Sequence, residues 1–117
     1  MGARTNFIFK QGDNYITLYS HWGGETKLID LAYAIEKSRP RWTDNGYSTR
    51  IMISQLIGSD WDNETGYGLY ADALGGEESY DETIIDVDNQ KVIHNGIEHD
   101  YNSFISYHLD KVKVEVV

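Results

Sequence analysis

The sequence predicts an α+β protein in which a mainly antiparallel sheet, built from two hairpins and a C-terminal strand, packs with two or three helices. Short segments rich in β-branched and aromatic residues occur in pairs around polar turns, as in β-hairpins. Apolar residues recur at helical spacing within residues 26–40 and 44–58. The length of 117 residues and the hydrophobic content of 40% are typical of one globular domain, which we place at residues 1–117.

The strands follow from these apolar segments and the turns between them. The predicted strands are Asn6–Lys10, Tyr15–Ser20, Gly66–Tyr70, Thr83–Val87 and Lys91–His94. Residues 11–14 join the first pair into a hairpin, and residues 88–90 join the last pair. Asn95-Gly96 is a further signal for a tight turn. Leu74–Glu82, with two glycines and four acids, is predicted to be an exposed loop.

Three helices are predicted from spacing and capping residues. The first begins after Thr26 and is stopped by Pro40, because a proline disfavours the α conformation of the residue before it. The second begins near Asp44-Asn45 and ends at Gly58. The third covers Tyr101–Leu109. The inward residues of the first and third helices are Leu28, Leu31, Ala32, Ile35, Phe104, Ile105 and Leu109.

The C-terminal residues alternate in hydrophobicity. Valines at positions 112, 114 and 116 interleave with charged residues over Lys111–Val117. A period of two is typical of a half-buried strand. The sequence therefore predicts a last strand here.

Charge is distributed unevenly along the chain. The net charge is −9, yet residues 51–90 hold ten acids and no Lys or Arg. Such a segment repels phosphate and attracts basic protein surfaces, which argues against direct nucleic-acid binding. A solvated acidic face that keeps the protein soluble explains the same composition. If the acids bind a partner, the predicted contact residues are Glu77, Glu78, Asp81 and Glu82.

A second interpretation concerns a small phosphorylated ligand. Glycines between a strand and a helix start let backbone amides approach an anion, and arginines beside aromatic rings suit a nucleotide. The residues of this predicted ligand site are His21, Trp22, Gly23, Gly24, Arg39, Arg41, Trp42 and Arg50. A simple chain bend explains the glycines equally, and ion pairs with the acids of residues 60–88 explain the arginines.

Other motifs give weaker signals. Asp60, Asp62 and Glu64 alternate as in a calcium loop, but the EF-hand register fails because its twelfth position is Ala71. His94, His99 and His108, with Asp100, are positioned to approach one another around the last turn and helix. Their spacing matches no recognised metal motif, so we predict no metal site.

Catalytic and targeting signals are not found in the sequence. The chain has no cysteine, no GxSxG elbow and no HExxH motif, so no catalytic residue, metal or cofactor is predicted. No apolar run approaches eighteen residues and no basic-then-apolar leader begins the chain, so neither a membrane span nor a secretory signal is expected.

Four segments carry a resemblance to a family of uncharacterised proteins of tailed bacteriophages. They are Leu18–Gly24, Pro40–Trp42, Ile53–Gly58 and Gly66–Tyr70, and the similarity spans about residues 1–72. The resemblance implies a viral protein in the host cytoplasm and transfers no catalytic residue. Small acidic phage proteins often bind host or defence proteins.

The sequence thus favours a small acidic, non-enzymatic interaction protein, one form of which is an inhibitor of a host or defence protein with a basic surface. The alternative is a module that binds or sequesters a phosphorylated metabolite or nucleotide. The oligomeric state is not indicated by any feature.

Overall fold

The fold is a six-stranded sheet with three helices, and the α+β class is therefore confirmed. The structure, a computed structural model, describes residues 3–116 and the side chains of residues 3–110. The strands are β1 (Thr5–Gln11), β2 (Asn14–Ser20), β3 (Tyr67–Tyr70), β4 (Thr83–Asp86), β5 (Lys91–His94) and β6 (Ile97–Asp100). The helices are α1 (Lys27–Lys37), α2 (Asn45–Ile57) and α3 (Tyr101–Val116). Short 3-10 turns lie at Gly24–Thr26, Arg39–Arg41 and Gly58–Asp60.

The sheet has the strand order β3-β2-β1-β4-β5-β6, and only the β1–β4 pair is parallel. Both predicted hairpins are present, with Phe7 opposite Leu18 in the first and Ile85 opposite Val92 in the second. Since β3 and β4 lie on opposite sides of the β1–β2 hairpin, the chain must cross the sheet between them. Residues 71–82 make this crossing, and we call them the crossing segment.

One face of the sheet carries the hydrophobic core. Phe7 and Phe9 point to the same side of β1 because alternate residues of a strand share a face, and both are almost completely buried. They pack in one cluster with the buried side of α1, including Leu31 and Ile35, and with Met52 of α2. The α1 helix packs against both α2 and α3, so the three helices cover this face together.

The crossing segment covers part of the opposite face and is not simply an exposed loop. The side-chain amide of Asn6 donates to the Gly76 carbonyl at 2.9 Å, and Thr17 Oγ1 donates to the Asp72 carbonyl at 2.6 Å. Gly75 has a φ of 62°, and a Cβ there would lie 2.3 Å from Asn6 Oδ1. Close approach of the segment to the sheet therefore requires glycine at this position.

The C-terminal strand predicted for Lys111–Val117 is wrong. The α3 helix begins at Tyr101, as expected, but continues through Val116 without a break. No Gly or Pro follows Leu109 to end a helix, and the inward spacing of Tyr101, Phe104 and Ile105 had already set a helical period. Val117 and the side chains of residues 111–116 lie outside the part that the structure describes.

The sequence did not predict β6 as a strand. Asn95 and Gly96 both have positive φ, of 52° and 79°, as a two-residue type I′ hairpin turn requires. The turn signal was correct. The four residues after it contain only one β-branched side chain, Ile97, so the strand propensity is weak and the pairing with β5 decides the conformation.

Candidate functional site

The glycine amides of the His21–Gly24 turn are hydrogen-bonded within the protein. The Gly23 amide donates to Ser20 Oγ at 3.0 Å, and the Gly24 amide donates to the Ala3 carbonyl at 2.8 Å. Neither N–H is therefore available for an anion. Such a bend is the simpler of the two explanations that the sequence allowed for these glycines.

The Trp22 side chain of this turn projects outward and is 66% exposed. Its ring lies edge-on to the His21 ring at a centroid distance of 4.4 Å, and His21 Nδ1 hydrogen-bonds the Tyr19 hydroxyl at 2.8 Å. The His21 amide also donates to the Gly66 carbonyl at 2.8 Å. The exposed indole thus packs against a histidine that is itself hydrogen-bonded to Tyr19 and Gly66.

Arg39 is engaged within the protein. Two of its guanidinium nitrogens bind the Glu36 carboxylate at 2.8 and 2.9 Å, and a third donates to Asn102 Oδ1 at 3.1 Å. Its guanidinium carbon also lies 4.4 Å from the centroid of the Trp42 ring. Arg39 therefore joins the end of α1 to α3, and its role is explained without a ligand.

Arg41 and Arg50, also exposed, make fewer contacts than Arg39. Arg41 lies 5.4 Å from the Tyr47 ring centroid, and Arg50 donates to Ser54 Oγ at 3.3 Å. Among the described residues, neither forms an ion pair. The ion pairs between these arginines and the acids of residues 60–88 that the sequence suggested are therefore not formed.

The predicted ligand residues do not meet in one place. The His21–Gly24 turn precedes α1 and Arg39 follows it, and α1 is 11 residues long. A helix of that length spans about 16 Å. The turn and the arginines thus lie at opposite ends of the helix, so a single small ligand does not contact both.

The four acids predicted to bind a partner have different surroundings. Glu78 accepts hydrogen bonds from Thr5 Oγ1 at 2.7 Å and from the Asn6 amide at 3.1 Å, and it pairs with Lys27 Nζ at 3.3 Å. These contacts lie within the protein and leave the Glu78 side chain 17% exposed, and its role as a partner contact stays a prediction. Glu77, whose side chain is 80% exposed, pairs with Arg4.

Lys27, the partner of Glu78 in this ion pair, is a buried residue that the sequence analysis did not single out. The residue is 3% exposed, and its ammonium donates to the carbonyls of Asn6 and Asp81 as well as to Glu78. Burial lowers the pKa of Lys27, and the Glu78 carboxylate opposes that shift. All three N–H groups of the ammonium are occupied. A lysine one residue after a helix cap looks solvated in a sequence, so no signal identified this pair.

Exposed aromatic and apolar side chains gather beside β3, at one edge of the sheet. Trp22, Asp60 and Glu64 line one cavity of about 420 Å³. Trp61 and Leu69 line a neighbouring cavity of about 250 Å³, and Asp60 lines both cavities. We call the surface formed by these five residues the tryptophan face. Trp61 is 77% exposed and Leu69 is 62% exposed.

The charge of the tryptophan face is entirely negative. Asp62 adds a further exposed carboxylate in the same loop. Among the residues that the structure describes, no Lys, Arg or His lines either cavity. Asp60, Asp62 and Glu64 were considered for calcium from the sequence; here Asp60 lines both cavities, and Glu64 lines the cavity beside Trp22.

A second concave region lies on the helical side of the sheet, between α1, α3 and β5–β6. Two adjoining cavities of about 320 and 360 Å³ both reach Leu28, His94 and His108. His99 and Phe104 line the larger of them. We call these two cavities the histidine groove. The three histidines that the sequence placed near one another therefore do line one region.

Neither a metal centre nor a membrane span appears in the described part of the chain. No three His, Asp or Glu side chains there are grouped so that they hold a metal ion, the groove histidines included. No helix within residues 3–116 combines the length and apolar character that crossing a membrane requires.

Comparison with known proteins adds no relative: no family model matches the chain, and no curated protein or solved structure matches it significantly.

Proposed function

We propose that this protein is a non-enzymatic interaction protein whose tryptophan face binds a partner protein with a basic surface. The observation that carries the proposal is the placement of two largely exposed tryptophans among carboxylates, with no cation among the described residues that line the two cavities. Tryptophan is the residue type that most often anchors protein interfaces, because it buries a large area at a small entropic cost.

Charge complementarity favours a partner with a basic surface. Of the ten acids in residues 51–90, only Glu77 and Glu78 form ion pairs in the described part of the chain. The other carboxylates keep a negative field that steers a basic surface toward the molecule. On contact, arginine or lysine side chains of the partner stack on the Trp22 and Trp61 rings.

The biological setting of the proposal depends on the resemblance to tailed bacteriophage proteins. In that setting the protein acts in the host cytoplasm, and its partner is a host or defence protein that it inhibits. Because many basic surfaces serve nucleic-acid binding, a nucleic-acid-binding protein is the partner class that an acidic inhibitor fits best. The alternative of a phosphorylated small ligand lacks a common site for its predicted residues.

The test is site-specific photo-crosslinking in lysate of a bacterial host. A photoreactive phenylalanine analogue replaces Trp61 in one variant and Tyr33 in the control, because Tyr33 is also an exposed aromatic residue but lies on α1. We expect one basic protein to crosslink at position 61 and not at position 33. Crosslinks at both positions, or to acidic proteins, would contradict the proposal.

The purified partner then gives the quantitative test. Trp61→Ala should weaken binding at least about ten-fold, since truncation of an interface anchor typically costs about 2 kcal/mol or more. Tyr33→Ala should leave the affinity unchanged. Equal affinities of the Trp61→Ala variant and the unaltered protein would exclude the tryptophan face as the binding surface.

A further inference from the structure

The histidine groove has the size and composition of a small-molecule site. Its two cavities measure about 320 and 360 Å³, within the range of roughly 300–1,000 Å³ that ligand sites occupy. Leu28, His94 and His108 line both, so the two cavities lie side by side. Such a site takes a ligand with an apolar body and a few polar groups.

One end of the groove is aromatic. Phe104, Tyr107 and His108 surround it together with Leu28. The His108 ring lies 4.5 Å from the Phe104 ring and 4.9 Å from the Tyr107 ring, measured between centroids. Aromatic rings pack against one another at such distances and inclinations, so this end of the groove has the composition that suits a further aromatic ring.

The other end of the groove carries acceptors of hydrogen bonds. Glu25 and Asp81 line it, and within the described residues neither carboxylate is in an ion pair. Lys27 also lines this end, but its ammonium is bound to Asn6, Glu78 and Asp81 and has no N–H left for a ligand. An anion therefore finds no free ammonium donor here, whereas a cation finds two carboxylates.

His94 adds a third acceptor between the two ends. The Thr83 hydroxyl donates its single hydrogen to the Asp81 carbonyl at 3.3 Å, so we assign it as acceptor of the His94 Nδ1–H at 2.9 Å. In that tautomer, Nε2 carries the lone pair. Burial and the Lys27 charge lower the pKa of His94, which keeps the ring neutral near pH 7.

We propose that the histidine groove binds a small arylalkylamine, a primary ammonium carried on a short chain from an aromatic ring. The ammonium donates toward Asp81, Glu25 and His94, and the ring packs against Phe104, Tyr107 and Leu28. The assignment rests on hydrogen-bond complementarity: the ammonium of the ligand only donates hydrogen bonds, and this end of the histidine groove mainly accepts them. It is independent of the tryptophan face.

Three probes of similar size separate charge from shape: 2-phenylethylamine, the neutral 2-phenylethanol and the anionic phenylacetate. Calorimetric titration of the full chain at pH 7.5 should give binding of the amine, at least ten-fold weaker binding of the alcohol and none of the acid. Equal binding of amine and alcohol, or absence of amine binding at millimolar concentration, would overturn the proposal.

Variants locate the binding. Asp81→Asn should weaken amine binding at least five-fold, whereas Asp62→Asn, which removes an equal charge outside the groove, should leave it unchanged. Leu28→Trp should abolish binding by filling both cavities. If Leu28→Trp does not fold, the Asp81 and Asp62 pair still decides, and equal affinities of those two variants would refute the groove as the site.

Discussion

At the residue scale, two adjacent glutamates show how burial determines what an ion pair contributes to stability. Glu77 pairs with Arg4 while its side chain is 80% exposed, and Glu78 pairs with Lys27, whose side chain is 4% exposed. Exposed ion pairs are weak because water screens both charges. A buried charge that loses its partner is left without solvation, so removing one member is costly.

We therefore expect the two glutamates to respond differently to the same change. Glu78→Gln should lower the free energy of unfolding by roughly 3 kcal/mol, because it removes the carboxylate that pairs with the buried Lys27 ammonium. Glu77→Gln, the matched control, should cost less than about 0.5 kcal/mol. Urea unfolding of both variants measures the difference, and equal losses would show that Glu78 is not part of a buried pair.

His94 provides a second residue-scale prediction. Burial and the nearby Lys27 charge lower its pKa, His99 adds to that lowering, and the Asp81 and Glu78 carboxylates oppose it. The unfolded chain then binds a proton at a higher pH than the folded chain does. Stability should consequently fall as the pH drops through about 6.5, the ordinary pKa of histidine.

The measurement is the urea midpoint at pH 7.5 and at pH 5.5. The midpoint should be lower at pH 5.5, and the decrease should be smaller in His94→Gln, whatever that variant's overall stability. An NMR titration of the imidazole protons, with His94→Gln identifying the signal, should place the His94 pKa below 6.5. A titration midpoint at or above that value would contradict the assignment.

At the scale of elements, local patterns predicted most of the fold. The β1–β2 and β4–β5 hairpins and α1 and α2 were located within a few residues, because their turns, caps and apolar spacing agree with one another. The alternating valines after Leu109 misled because a period of two over seven residues competes with a helix that has already begun. Helix formation is cooperative, so extending an existing helix is easier than starting a new element, and a local pattern does not show this.

The candidate sites were harder to predict because they depend on contacts between distant segments. Glu78 and Lys27 are 51 residues apart, and Trp22 meets Asp60 only because β3 pairs with β2. The sequence singled out Trp22 as part of an anion site, and Trp61 was not recognised as a contact residue. Charge segregation was visible in the sequence, but the surface on which it acts required the fold.

The crossing segment gives an element-scale prediction that two glycines test. Gly75 and Gly96 both have positive φ, but a Cβ on Gly75 meets Asn6 and Thr17, whereas one on Gly96 meets nothing within 4 Å. Gly96→Ala should cost about 1 kcal/mol for the backbone conformation alone. Gly75→Ala should cost roughly 1–3 kcal/mol more, because the segment must move off the sheet. Equal losses in thermal or urea unfolding would mean that the segment does not pack closely.

On the scale of the whole molecule, the relevant property is the electrostatic field of a chain with a net charge of −9. Such a field acts over about 8–10 Å at moderate salt and speeds the encounter with a basic partner, while short-range contacts determine how long the complex lasts. Two acidic regions contribute to the field. One lies at Asp60, Asp62 and Glu64 on and beside the tryptophan face, and the other at Glu77, Asp81 and Glu82 on the crossing segment.

Neutralising each region in turn separates steering from contact. Two triple variants are compared, each with three acids changed to Asn or Gln. The first changes residues 60, 62 and 64, and the second changes residues 77, 81 and 82, so each removes three negative charges. Both should slow association with the basic partner several-fold at low salt, and the difference should vanish at about 0.5 M salt. Only the first should also speed dissociation, because Asp60 and Glu64 line the cavities beside Trp22 and Trp61, whereas residues 77, 81 and 82 line neither cavity. Stopped-flow or surface-based kinetics measure both rates, and faster dissociation of the second variant alone would place the contact surface on the crossing segment instead.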